Sequence, residues 1–140
     1  MSHHCSWLKP SLDPKQRVES VKGLVEAIKT SKLRFGAIAV RGLSGMLIGS
    51  IVAFKLKKPL IVVRKNDQSH SDFKTEATIY PKRYIIIDDF IDTGATINTV
   101  IDAVVSMYNT ANFESECVGI FLYRSTCNGS WGEVPTFGTQ

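Results

Sequence analysis

The chain has 140 residues, of which 44% are hydrophobic and 21% charged, with a net charge of +4. That is the balance of a soluble globular protein with one core, taken as a single domain over 1–140. No apolar run reaches the roughly 18 residues of a membrane span. The longest, over 43–56, is interrupted by Ser44, Ser50, Lys55 and two glycines. The first residues lack the pattern of a signal peptide, and the three cysteines, Cys5, Cys117 and Cys127, contain no C-x-x-C pair. A cytoplasmic protein without a structural zinc site is expected.

In chain order, Asp13 and Pro14 read as the N-cap and first residue of a helix running to about residue 32, with Val18, Val21, Val25 and Ile28 on one face. The stretch 35–40, FGAIAV, reads as a buried strand, RGLSG as a loop, and about 43–56 as a second helix ended by Pro59. A second strand, LIVV, is followed by a polar segment over 64–82 with a short strand around 76–80. The third strand covers 83–87. The next helix shows the clearest amphipathic spacing, with Ile97, Val100, Ile101, Val104, Val105 and Tyr108 on one stripe. A fourth strand covers 117–123, and the Gly- and Ser-rich tail from Arg124 has no assigned structure. Continuous apolar strands alternating with helices predict an α/β fold, a mainly parallel central sheet flanked by helices. Ligands of such sheets bind at the carboxyl ends of the strands.

The third strand and the helix after it are joined by the most informative stretch, YIIIDDFIDTGATI, over 84–97. The buried run ends on two adjacent carboxylates, Asp88 and Asp89. The segment Asp92, Thr93, Gly94, Ala95, Thr96 then opens the helix with backbone amides, hydroxyls and the positive end of the helix dipole, which is an anion site. Acids beside an anion site are explained by one ligand with two faces, hydroxyls and a phosphate. A sugar phosphate has both. The chain contains neither G-x-x-x-x-G-K-[ST] nor G-x-G-x-x-G.

IIIDDFIDTGAT resembles the phosphoribosyl pyrophosphate motif of the type I phosphoribosyltransferases, and AVRGLSGMLIGSIVAFKLKKPLIVVRK, over 39–65, resembles the preceding region of the adenine and orotate members. The resemblance implies a Rossmann-like phosphoribosyltransferase core with a small hood from about 1–13 and 124–140, and a flexible loop over about 66–82. It implies that Asp88 and Asp89 hydrogen-bond the ribose hydroxyls and, indirectly, a magnesium ion. Asp92, Thr93, Gly94, Ala95 and Thr96 would hold the 5-phosphate. Arg41 and Gly42, at a loop that in the family often carries a strained cis peptide, would hold pyrophosphate with Arg64 and Lys65. The implied activity is magnesium-dependent transfer of ribose 5-phosphate to a nucleobase, with release of pyrophosphate, in nucleotide salvage. The partners are phosphoribosyl pyrophosphate, the base, pyrophosphate and a second copy of the chain. A purine is favoured over orotate.

Asp92 and Glu76 are rival candidates for the base that deprotonates the acceptor. The alternative for Asp92 is an acid placed by the helix dipole. Arg124 and Trp7 are candidates for the base pocket. Trp131 and Phe137 are aromatics available for stacking, although each alone reads better as packing. The basic residues are scattered and nucleic acid is not expected as a ligand. The alternative function is a non-catalytic regulator of the same fold that binds phosphoribosyl pyrophosphate or a nucleotide, with nucleic acid as a further possible ligand.

Overall fold

The computed structural model describes residues 8–65, 75–126 and 128–140. A one-turn helix, α1 (Lys9–Leu12), leads into α2 (Pro14–Ser31), where Asp13 Oδ2 accepts from the Gln16 amide at 3.0 Å and Pro14 occupies the first turn, as the sequence predicts. The remaining elements are β1 (Ala37–Arg41), α3 (Gly42–Leu56), β2 (Leu60–Val63), β3 (Thr75–Glu76), β4 (Arg83–Asp88), α4 (Ala95–Thr110), β5 (Glu116–Leu122), β6 (Gly129–Trp131) and β7 (Val134–Gly138).

They form one sheet in the order β3-β2-β1-β4-β5-β7-β6. Strands β2, β1, β4, β5 and β7 run parallel, and the short edge strands β3 and β6 run antiparallel to their neighbours. Alternation along the central strands sorts side chains onto two faces. Ile38, Val40, Ile85 and Ile87 pack with Leu24 and Ile28 of α2 and Ile48 and Val52 of α3. Ala37, Ala39, Tyr84 and Ile86 pack with Ile97, Val100, Val104 and Tyr108 of α4. Each fully buried side chain of this size contributes about 1.5–3 kcal/mol, so both faces are held by ordinary hydrophobic burial. Helix α3 returns from β1 on one face and α4 leaves β4 on the other. The chain therefore switches direction between β1 and β4, and their carboxyl ends open a crevice there.

The structure moves three boundaries. Helix α3 begins at Gly42, so most of the expected RGLSG loop is already helical. Gly42 makes that turn with φ 75°, and no described peptide bond is cis. Glycine takes this conformation without the side-chain clash that a bulkier residue would meet. The expected strand around 76–80 is reduced to Thr75–Glu76, paired with Val62 and Val63. The tail without predicted structure forms the β6–β7 hairpin. Its β7 pairs parallel with β5 from Ile120↔Thr136 to Leu122↔Gly138, which covers an otherwise open sheet edge.

Candidate functional site

A cleft of about 700 Å³ lies at the carboxyl ends of β1 and β4. Its walls are the first turn of α3, Lys65, the segment from Asp88 to Ile97, and Leu8. Two helix starts therefore face one space. Helix α3 has Arg41 as N-cap and α4 has Gly94, and neither of these two residues caps its helix through a side-chain hydrogen bond. First-turn amides have no carbonyl partner inside a helix, so each start is a local positive pole open to an anion. At α4, Gly94 carries φ 84° and is buried, while Thr93 Oγ1 accepts from the Ala95 amide at 3.3 Å.

Between the two poles stand the acids. Asp88 is the last residue of β4, pinned by backbone pairing with β5 and only 6% exposed. Its Oδ1 accepts from the Asp89 amide at 2.9 Å, and Asp89 Oδ1 accepts from the Phe90 amide at 2.8 Å. Burial pushes the Asp88 carboxyl up to about 7; the Asp89 amide and the Lys65 charge oppose that rise, and the Asp89 charge adds to it. The folded protein thus holds a proton that the unfolded chain has released. Stability contributed by Asp88 is present below about pH 4 and is lost as pH rises through about 7. Chemical denaturation is expected to show a decline of roughly 2–4 kcal/mol over that window, largely absent from Asp88→Asn. A flat profile in the native protein would remove the buried-carboxylate account.

The expected pyrophosphate group divides. Arg41, Gly42 and Lys65 line the cleft, and Arg41 Nη2 donates to the Lys65 carbonyl at 3.4 Å. Arg41 Nε is buried and, among the described residues, has no hydrogen-bond partner. An orphan cationic donor beside an open helix start suits an anionic ligand. Arg64 is instead paired with Glu76. Glu76 lines a different cavity, against Thr110 and Met107 of α4, so the structure brings Asp92 to the cleft and leaves Glu76 outside it. Asp92 and Thr93 are exposed at the cleft wall. Arg124 lies over the Phe90 ring at 5.8 Å, and its amide donates to the Asp89 carbonyl at 2.8 Å. Trp7 and residues 66–74 of the expected flexible loop lie outside the described residues.

The other two aromatics separate as well. Phe137 stacks on Phe121 at 4.6 Å and belongs to the core. Trp131 packs against Gly94. Sequence reasoning passed over Phe90, a 38% exposed ring lining the cleft between the acids, and Leu8 opposite. An aromatic directly after the acid pair in the strand-to-helix turn was the available signal. It also passed over Tyr123, whose hydroxyl donates to the Ser44 carbonyl at 2.7 Å and lies 3.3 Å from Ser11 Oγ. That contact ties α1 and β5 to the first turn of α3.

A parallel sheet with two open helix starts flanking a carboxylate pair at its switch point defines an α/β domain with a polar cleft at the carboxyl ends of its strands. No family model matches the chain. Among curated proteins it is 37% identical over 79 residues to the adenine phosphoribosyltransferase of Pseudomonas syringae pv. tomato, covering 45% of this chain and 43% of that protein. It is 31% identical over 108 residues to the adenine phosphoribosyltransferase of Bifidobacterium longum, covering 66% and 56%. It is 29% identical over 80 residues to the orotate phosphoribosyltransferase of Staphylothermus marinus, covering 56% and 39%. The chain thus spans about half the length of the curated relatives it matches. In fold it is similar to the adenine phosphoribosyltransferase of Saccharomyces cerevisiae, with a TM-score of 0.67 at 17% identity over 96% of this chain and 85% of that one. It is also similar to the orotate phosphoribosyltransferase of Aeropyrum pernix, with a TM-score of 0.64 at 19% identity, covering 86% and 65%. In sequence the chain is thus similar to part of the adenine and orotate phosphoribosyltransferases, and it has their fold.

Proposed function

We propose that the protein transfers ribose 5-phosphate from phosphoribosyl pyrophosphate to a nucleobase, with a purine favoured. The observation that carries this reading is the pairing of two uncapped helix starts in one cleft with Asp88 and Asp89 between them. A ligand with an anion at each end of a hydroxyl-bearing sugar matches that order of charges. The α4 start takes the 5-phosphate, the α3 start with Arg41 and Lys65 takes the pyrophosphate, and the acids accept from the ribose hydroxyls. The names of the sequence relatives support the same assignment.

In the reaction a ring nitrogen of the base forms a bond to the anomeric carbon as the bond from that carbon to pyrophosphate oxygen breaks. The bonding electrons leave with pyrophosphate, and the proton of the base nitrogen passes to a carboxylate, for which Asp92 is placed at the cleft wall. Arg41 and Lys65 stabilise the charge growing on the leaving group. Phe90, beside Arg124, offers the base an aromatic face. Two adjacent carboxylates next to the space for ligand oxygens suit magnesium held chiefly by ligand and water, with Asp88 and Asp89 as its protein contacts. When bound, the ion supplies charge neutralisation at pyrophosphate.

The test incubates the protein with magnesium, phosphoribosyl pyrophosphate and a panel of purine and pyrimidine bases, following pyrophosphate and nucleotide. Product with adenine or an oxopurine is the expected result. Binding of phosphoribosyl pyrophosphate with no product from any base would establish the regulator instead. Absence of binding would remove both.

A further inference from the structure

We propose that Trp131 is a positioning residue for the phosphate half of the cleft, a clamp through which the tail hairpin holds the Thr93–Thr96 turn in its anion-binding shape. This rests on the sugar-phosphate reading of the site and adds a residue that neither the motif nor the family resemblance assigns.

The geometry is specific. A Cβ built on Gly94 would lie 1.8 Å from Trp131 Cη2 and 2.4 Å from Cζ2, so the far edge of the indole rests directly on the glycine backbone. The other end of the same ring donates from Nε1 to Asn98 Oδ1 at 3.3 Å. Asn98 is one helical turn beyond Gly94, and its amide donates to the Gly94 carbonyl at 3.0 Å. The indole therefore spans the first turn of α4, touching its start and bonding its end. It is itself fixed from behind, because Trp131 pairs with Val134, and β7 is paired with β5 in the sheet. A turn with a left-handed glycine has other accessible conformations. An aromatic plate on that glycine removes them, so the amides need less reorganisation when a phosphate arrives. The contact also explains in part why residue 94 is glycine, since a methyl group there would strike the ring.

Calorimetric titration with two probes tests the clamp, ribose 5-phosphate for the α4 end and magnesium pyrophosphate for the α3 end. Trp131→Ala is expected to weaken ribose 5-phosphate by about tenfold and to leave pyrophosphate within about twofold. Trp131→Phe keeps a ring on Gly94 and is expected to recover most of the lost affinity. Trp131→Leu serves if the alanine variant does not fold, with the same expectation. Native affinity for ribose 5-phosphate in the alanine or leucine variant overturns the clamp alone, as does equal weakening of both probes, which marks general loosening. Failure of the native protein to bind either probe overturns the site reading and the clamp with it.

Discussion

Asp88→Asn combined with Asp89→Asn is expected to weaken phosphoribosyl pyrophosphate binding by about 100-fold, because each of two charge-assisted hydrogen bonds becomes a neutral one and loses about 1–1.5 kcal/mol. The fold is expected to survive. Neither carboxylate joins an ion pair among the described residues, and both accept from neighbouring loop amides, which an amide oxygen can also serve. At pH 8 the variant is expected to melt higher than the native protein, since the native Asp88 is ionised there in a buried position. Affinity and stability then move in opposite directions, the mark of a site that is held under electrostatic strain for binding. Calorimetry and thermal melts at pH 5 and pH 8 measure both. Unchanged affinity would show that the acids do not meet the ribose, and loss of folded protein would show that they are structural.

Gly49→Val is expected to destabilise the protein by about 3 kcal/mol, lowering the melting temperature by about 10 °C. Helix α3 lies so close to the sheet that a Cβ at Gly49 would fall 2.5 Å from Val40 Cγ1, and one at Gly45 would fall 3.1 Å from the Ile87 carbonyl. Val40 is fully buried in β1 between two paired strands and cannot retreat. The helix must lift instead, and its first turn leaves the cleft with it. Weaker pyrophosphate binding in the surviving folded fraction is therefore expected as well. Scanning calorimetry decides the point: a melting temperature within 2 °C of the native value, on the scale of about one surface substitution, would mean that α3 has room to spare.

The order of the central elements was legible because each carries a strong local signal. Four apolar runs marked β1, β2, β4 and β5, and the Ile97–Tyr108 stripe marked α4 by its periodicity. Asp13 and Pro14 announced α2 through a cap that needs only its neighbours. The motif around Asp88 was legible for the same reason, since a strand end, a glycine turn and a helix start are contiguous and their chemistry is local. The hairpin in the tail was not. Val134–Gly138 becomes a strand by pairing with β5, and that partner is not encoded within the tail.

What the sequence determined by itself is thus the parallel α/β core and the contiguous strand end, acid pair and helix start over Asp88 to Thr96, because short-range pattern and backbone geometry specify both. Tertiary packing alone decided how the remaining candidates are shared out. It turned Arg64 toward Glu76 and away from the cleft, left Arg41 Nε without a partner beside an open helix start, stacked Phe137 into the core and set Trp131 on Gly94. Those outcomes depend on which distant surfaces meet when two helices settle on opposite faces of a sheet, a relation that a linear run of residues does not contain.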